Sequence, residues 1–129
     1  MEIQKDNIQH IFEQYPQIKL GYLFGSHATG KTGPLSDYDF AVYLEEKDAQ
    51  KRFALRLQLM HALSKELKTD NVDVLILNDI KSPEVKYSII KEGILLHEQE
   101  PYKVLLLPRI LNEYFDFMHG LRKYGLTKA

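Results

Sequence analysis

Apolar positions along this chain follow two periods. Over residues 3–15, Ile3, Ile8, Ile11, Phe12 and Tyr15 recur at helical spacing and Pro16 follows, which predicts a helix ending there. IKLGYLF, residues 18–24, is a short apolar run of strand composition. Residues 25–36 are polar and rich in glycine and read as a loop, and YDFAVYL, 38–44, reads as a second strand. Residues 48–68 contain no Gly or Pro and are rich in Leu, Ala, Lys, Arg and Gln, which predicts a long helix. Its apolar stripe reads as Phe53, Leu57, Met60 and Leu67, with Leu63 beside it. VDVLIL, 72–77, predicts a third strand.

Ser82 followed by Pro83 and Glu84 marks a helix start, with Ser as the cap and Pro at the first helical position. That helix is expected to reach Glu92, with Gly93 as its C-terminal cap. ILLHE, 94–98, predicts a short fourth strand, and a last helix is expected over about 108–122. On it Ile110, Tyr114, Phe117 and Leu121 form one stripe, with Leu111, Phe115 and Met118 beside it. The order α-β-loop-β-α-β-α-β-α predicts a small α/β or α+β domain, with helices flanking a short mixed central sheet. A long helix joins the second and third strands, so these are expected to be parallel.

Composition narrows the setting. A chain of 129 residues fits a single domain, 1–129, and has enough length for its own core. The formal net charge of -1 gives no whole-chain attraction to nucleic acid or to an anionic membrane. Cysteine is absent, which removes disulfides and thiolate metal sites and favours a reducing compartment. The first residues lack the apolar core of a signal peptide, and no apolar run approaches membrane-spanning length. A soluble, cytoplasmic protein is expected.

The interval between the first two strands carries the chemistry. GSHATGKT, residues 25–32, fits the phosphate-loop pattern G-x-x-x-x-G-K-[ST]. A phosphate loop works only when its Lys and Ser/Thr open a helix, whose N-terminus then faces the phosphates. Here Gly33 and Pro34 follow at once, and a strand follows them. The context therefore excludes that reading.

A second pattern begins at the same glycine: Gly25 and Ser26, ten residues, then Asp37 and Asp39 at the mouth of a strand. Alternation along a strand points both carboxylates to one side. Carboxylates held close together repel unless they are protonated or bridged by a cation. Oxygen-only ligands favour Mg²⁺ or Mn²⁺. Asp73, near the start of the third strand, is the candidate third carboxylate, since parallel neighbours start at the same end of a sheet. Glycine at 25 permits a tight turn and a close approach to phosphate, and the Ser26 hydroxyl can donate to phosphate oxygens.

GSHATGKTGPLSDYD resembles the signature of the polymerase-β-type nucleotidyltransferases, G-S-x(8–13)-D-x-[DE]. The spacing, the small size and the VDV strand are most similar to the minimal nucleotidyltransferases, the MNT or MntA-type antitoxins, over a core of about residues 18–98. The resemblance implies ATP as substrate, Mg²⁺ as cofactor in two ions, and transfer of a nucleoside monophosphate to a hydroxyl with release of pyrophosphate. By position, Gly25 and Ser26 match the triphosphate-binding turn, and Asp37, Asp39 and Asp73 match the metal-binding catalytic carboxylates. One departure stands out: many members carry Arg where this chain has Thr29, and Lys31 is the nearest cation.

The resemblance also implies a partner. Such proteins pair with a HEPN-domain ribonuclease toxin in a hetero-oligomer, transfer AMP to a toxin tyrosine and silence it. The aromatic-rich segment LLLPRILNEYFDFMHGLRKYG suits a protein interface as well as it suits closing the core. Two alternatives differ in kind: a non-catalytic antitoxin that neutralises by binding, and a nucleotidyltransferase with a small-molecule acceptor. The second is disfavoured by the lack of an acceptor-binding domain. His27 lies in the nucleotide loop, whereas His10, His61 and His119 fall on helices without a metal-binding pattern.

Overall fold

Strands β1 (Ile18–Phe24), β2 (Tyr38–Leu44), β3 (Val72–Ile76) and β4 (Ile94–Glu98) form one sheet in the order β3-β2-β1-β4. The fold comes from a computed structural model and is described for residues 5–30, 33 and 37–125. β1 is antiparallel to both β2 and β4, while β2 and β3 are parallel. Helix α3 (Ala49–Leu67) makes the crossover that a parallel pair needs. Helices α1 (Lys5–Glu13), α2 (Ser26–Thr29), α4 (Pro83–Glu92) and α5 (Tyr102–Lys123) complete the chain. The expected architecture, a mixed sheet flanked by helices, is present.

The helices lie in two layers. On one face Ile8, Phe12, Leu59, Leu63 and Leu67 of α1 and α3 pack on Phe40, Val42, Val74 and Ile76. On the other, Ile89, Ile90, Tyr102 and Leu106 of α4 and α5 pack on Leu20, Tyr22 and Ala41. Each large side chain fully buried in these layers contributes about 1.5–3 kcal/mol. A bulge between Ile18 and Leu20 sends these two residues to opposite faces, although they are two apart. β1 therefore serves both layers.

Local signals hold at most element ends. Asp48 caps α3 by accepting from the Gln50 N–H at 2.9 Å, and Ser82 Oγ caps α4 by accepting from the Val85 N–H at 3.3 Å. Past the end of β3, the Asn78 amide acts as an extra strand residue for β2. It accepts from the Leu44 N–H at 2.9 Å and donates to the Leu44 carbonyl at 2.7 Å.

Three expectations need correction. The core-facing row of α3 is Leu59, Leu63 and Leu67, whereas Phe53 and Leu57 are exposed. The apolar stripe read from the sequence was rotated, because the upper half of the core-facing row is occupied by Arg52 and Arg56, whose heads reach past the sheet. The last helix begins at Tyr102 rather than near 108, and Pro108 lies inside it. Proline in a helix interior removes a hydrogen bond. Packing of Tyr102 and Leu106 on the core, and a hydrogen bond from the Tyr102 hydroxyl to Glu45, hold the turns ahead of it. The interval 25–36 is not all loop, since Ser26–Thr29 form the helical turn α2. Gly93 does cap α4, but with extended backbone. Glycine is required there for space, since a Cβ would lie 2.3 Å from the Ile89 carbonyl oxygen.

Ile3 of the first predicted stripe, and Lys31 and Thr32 of the connecting loop, fall outside the described residues. Among the described residues no helix is long and apolar enough to cross a membrane.

Candidate active site

Asp39 is the register partner of Phe24 on one side and of Asp73 on the other. This places the second residue of β2 between the end of β1 and the start of β3. Gly25 continues β1 directly beneath the Asp39 carboxylate. Its φ of 74° is in the region that favours glycine, and a Cβ there would lie 2.6 Å from Asp39 Oδ2. The chain then turns at Ser26 into α2. Gly25 O accepts from the N–H groups of Ala28 and Thr29 at 3.1 and 3.2 Å, and left-handed Gly30 ends the turn. The His27 ring stacks on Tyr38 with centroids 3.7 Å apart.

The acidic groups show the strain that their placement implies. Burial holds the Asp39 carboxyl above its ordinary value, and the charges of Asp37 and Asp73 push the same way, with His27 opposing. Asp37 is exposed at the mouth of β2. Asp73 is half-exposed and pairs with Arg56, Nη2 to Oδ1 at 2.9 Å. Gly25, Ser26, Asp37, Asp39 and Asp73 thus meet at one end of the sheet, as their sequence positions predicted.

These carboxylates offer only oxygen, which suits a hard dication such as Mg²⁺. Their mutual repulsion also fits a site completed by a cation. Convergence is incomplete as the side chains stand: among the described residues, no three His, Cys, Asp or Glu groups are gathered closely enough to hold a metal ion. The Arg56 contact occupies Asp73 instead.

Thr29 is exposed and turns its hydroxyl back to the carbonyls of Gly25 and Ser26, both at 3.4 Å. It closes the α2 turn. His10, His61 and His119 lie exposed on three separate helices, as expected.

Sequence reasoning missed Arg52 and Arg56. Arg52 grips Asp79 through Nε and Nη2 at 3.2 and 2.8 Å and donates from Nη1 to the Glu46 carbonyl at 2.9 Å. Arg56 reaches Val74 O and Asp73. The available signal was spacing: the two arginines are four apart, and their row leads into Leu59, Leu63 and Leu67. Cations in line with a buried row must find carboxylates or carbonyls at its end.

The profile of the family described as polymerase beta nucleotidyltransferase matches residues 6–102, well over half of the chain. The chain belongs to that family. This nucleotidyltransferase is similar in fold to a chain of a toxin–antitoxin crystal structure with AMP-PNP, at a TM-score of 0.76, 22% identity and 95% coverage of both chains. It is also similar to a chain of the tri-AMPylated Shewanella oneidensis HEPN toxin in complex with MNT antitoxin, at a TM-score of 0.67, 21% identity and 95% coverage of both. A chain of the MntA–HepT toxin–antitoxin matches at a TM-score of 0.68 and 21% identity, over 93% of this nucleotidyltransferase and 92% of that chain. At such identities the likeness establishes the fold. No curated protein matches the chain closely enough to count.

Proposed function

We propose that this nucleotidyltransferase is an antitoxin that transfers AMP from MgATP to a tyrosine hydroxyl of a HEPN-domain ribonuclease, releasing pyrophosphate. The observation that carries this reading is the pairing of Asp39 with Asp73 across two parallel strands, with Gly25 closing the turn beneath Asp39.

The roles follow from chemistry. Ser26 and the backbone around Gly25 bind the triphosphate, because a residue without a Cβ lets phosphate approach and a hydroxyl can donate to it. Asp37, Asp39 and Asp73 hold the divalent cation. When bound, that cation offsets charge on the phosphates and lowers the pKa of the acceptor hydroxyl. The acceptor O–Pα bond forms as the Pα–O bond to pyrophosphate breaks, and the hydroxyl's proton passes to water at the open mouth of the site, where Asp37 is exposed. AMP adds bulk and negative charge to the ribonuclease, which suits silencing it.

Similar solved structures support the substrate and the acceptor. One holds AMP-PNP, one contains a tri-AMPylated HEPN toxin, and one is a variant with two aspartate-to-glutamate changes two positions apart. Exposed apolar side chains on α5, among them Val104, Leu105 and Phe115, suit a protein acceptor.

The test is to incubate the protein with MgATP and its HEPN partner and to weigh the partner by mass spectrometry. A gain in AMP units is expected, and none with the Asp37→Asn, Asp39→Asn double variant. An unchanged partner mass, or a fully active double variant, would sink the proposal. Neutralisation by the double variant at equal dose would point instead to an antitoxin that acts by binding.

A further inference from the structure

Asp73 and Arg56 stand on opposite layers of the molecule. Asp73 alternates with Val72 and Val74, whose side chains enter the α1–α3 core, so its own side chain lies on the α4–α5 face. Arg56 belongs to α3, on the other face. The two meet because β3 is an edge strand. The Tyr38 N–H bonds to Asn71 O at 2.8 Å, so odd-numbered residues of β3 turn their backbone groups toward β2. Val74 therefore presents its N–H and C=O to the open edge.

Both groups are capped there. Arg56 Nε donates to Val74 O at 2.6 Å, and the Val74 N–H donates to Asp73 Oδ1 at 2.9 Å. Arg56 Nη2 then reaches the same Oδ1 at 2.9 Å. The guanidinium wraps round the edge of the sheet, anchored on the backbone at one nitrogen and holding the third carboxylate with another. Its planar fork makes these two bonds in one fixed geometry.

We infer that Arg56 is a positioning residue for the nucleotide-bound cation: it acts as a resident counter-ion that holds Asp73 at the strand edge and competes with the divalent ion for it. This rests on the reading of Asp73 as a cation ligand. Competition follows from charge and occupancy together. The arginine neutralises Asp73 beside Asp37 and Asp39 when no ion is bound, and an entering ion must share the carboxylate's charge with it. Asp73 Oδ2, outside both contacts, is the oxygen an ion meets first.

The test is titration of Mn²⁺ into the protein with AMP-PNP, followed by electron paramagnetic resonance, together with melting curves with and without Mn²⁺. Arg56→Met is expected to bind Mn²⁺ roughly three- to fivefold more tightly, the scale of a partly exposed ion pair. Its ion-free form is expected to melt lower than wild type, with the gap narrowing at saturating Mn²⁺. Arg56→Lys, which keeps the charge but cannot span Val74 O and Asp73 with a planar fork, is expected to stay within about twofold of wild-type affinity. Equal or weaker Mn²⁺ binding by Arg56→Met overturns the inference and leaves Arg56 as an edge staple. Asp73→Asn separates the two readings: if it leaves wild-type Mn²⁺ affinity unchanged, the assignment of Asp73 as a cation ligand fails, and the inference fails with it.

Discussion

Gly25 and Asp39 are so close that a methyl group on the first would sit 2.6 Å from an oxygen of the second. The strand-end turn and the β2 carboxylate are therefore one unit, in which the missing side chain of one residue makes room for the other.

Gly25→Ala tests that unit. The substitution meets both the carboxylate and a φ of 74°, so it is expected to cost about 1–3 kcal/mol of stability. Displacing Asp39 is expected to reduce nucleotidyl transfer by roughly 100-fold, the scale of an ångström-sized misplacement. Paired melting and transfer assays check both; a variant with wild-type activity would show that Asp39 has slack.

Asp39→Asn tests the electrostatic cost of the site. The folded carboxyl has a raised pKa, so its favourable contribution is complete below the ordinary value of 3.8 and is lost as pH rises through the folded value. At neutral pH the ionised group is a liability. In EDTA the variant is expected to melt above wild type at pH 7, with the gain vanishing toward pH 3. Transfer activity is expected to be lost at every pH. A lower melting point at pH 7 without metal would contradict this account.

Tyr22 is expected to weaken the fold at alkaline pH. Burial, with a smaller push from Glu98, raises its hydroxyl from 10.0 to about 12. Between those pH values the unfolded chain ionises first, so stability falls as pH rises, by roughly 2 kcal/mol from this residue. Tyr22→Phe is expected to flatten that part of a pH–stability profile measured by urea unfolding.

The facing of α3 is tested by two substitutions. Leu63→Ala empties a fully buried position and is expected to cost about 2–5 kcal/mol. Phe53→Ser changes a side chain that is 54% exposed and is expected to stay within about 0.5 kcal/mol. Chemical denaturation of both variants decides; reversed magnitudes would restore the stripe read from the sequence.

The site was legible as far as it depends on spacing along strands. Asp37 and Asp39 two apart, a glycine-serine turn ten residues earlier and Asp73 at the next strand start were enough to bring five residues to one end of the sheet. Arg56 was not legible, because its role exists only where β3 has an open edge, and a helix residue does not announce which strand it will pass.

The sequence by itself determined the order and most boundaries of the elements, since periodicity, Ser82–Pro83 and the Asp48 cap act within a few residues of the ends they set. It also determined the parallel pairing of β2 and β3, because a long helix between strands permits little else. Tertiary structure alone decided which row of α3 enters the core, the passage of α5 through Pro108, and the hold of Arg56 on Asp73. Each of these depends on contacts between distant segments. Burial against the sheet or reach around its edge outweighs a local preference worth at most a few kcal/mol.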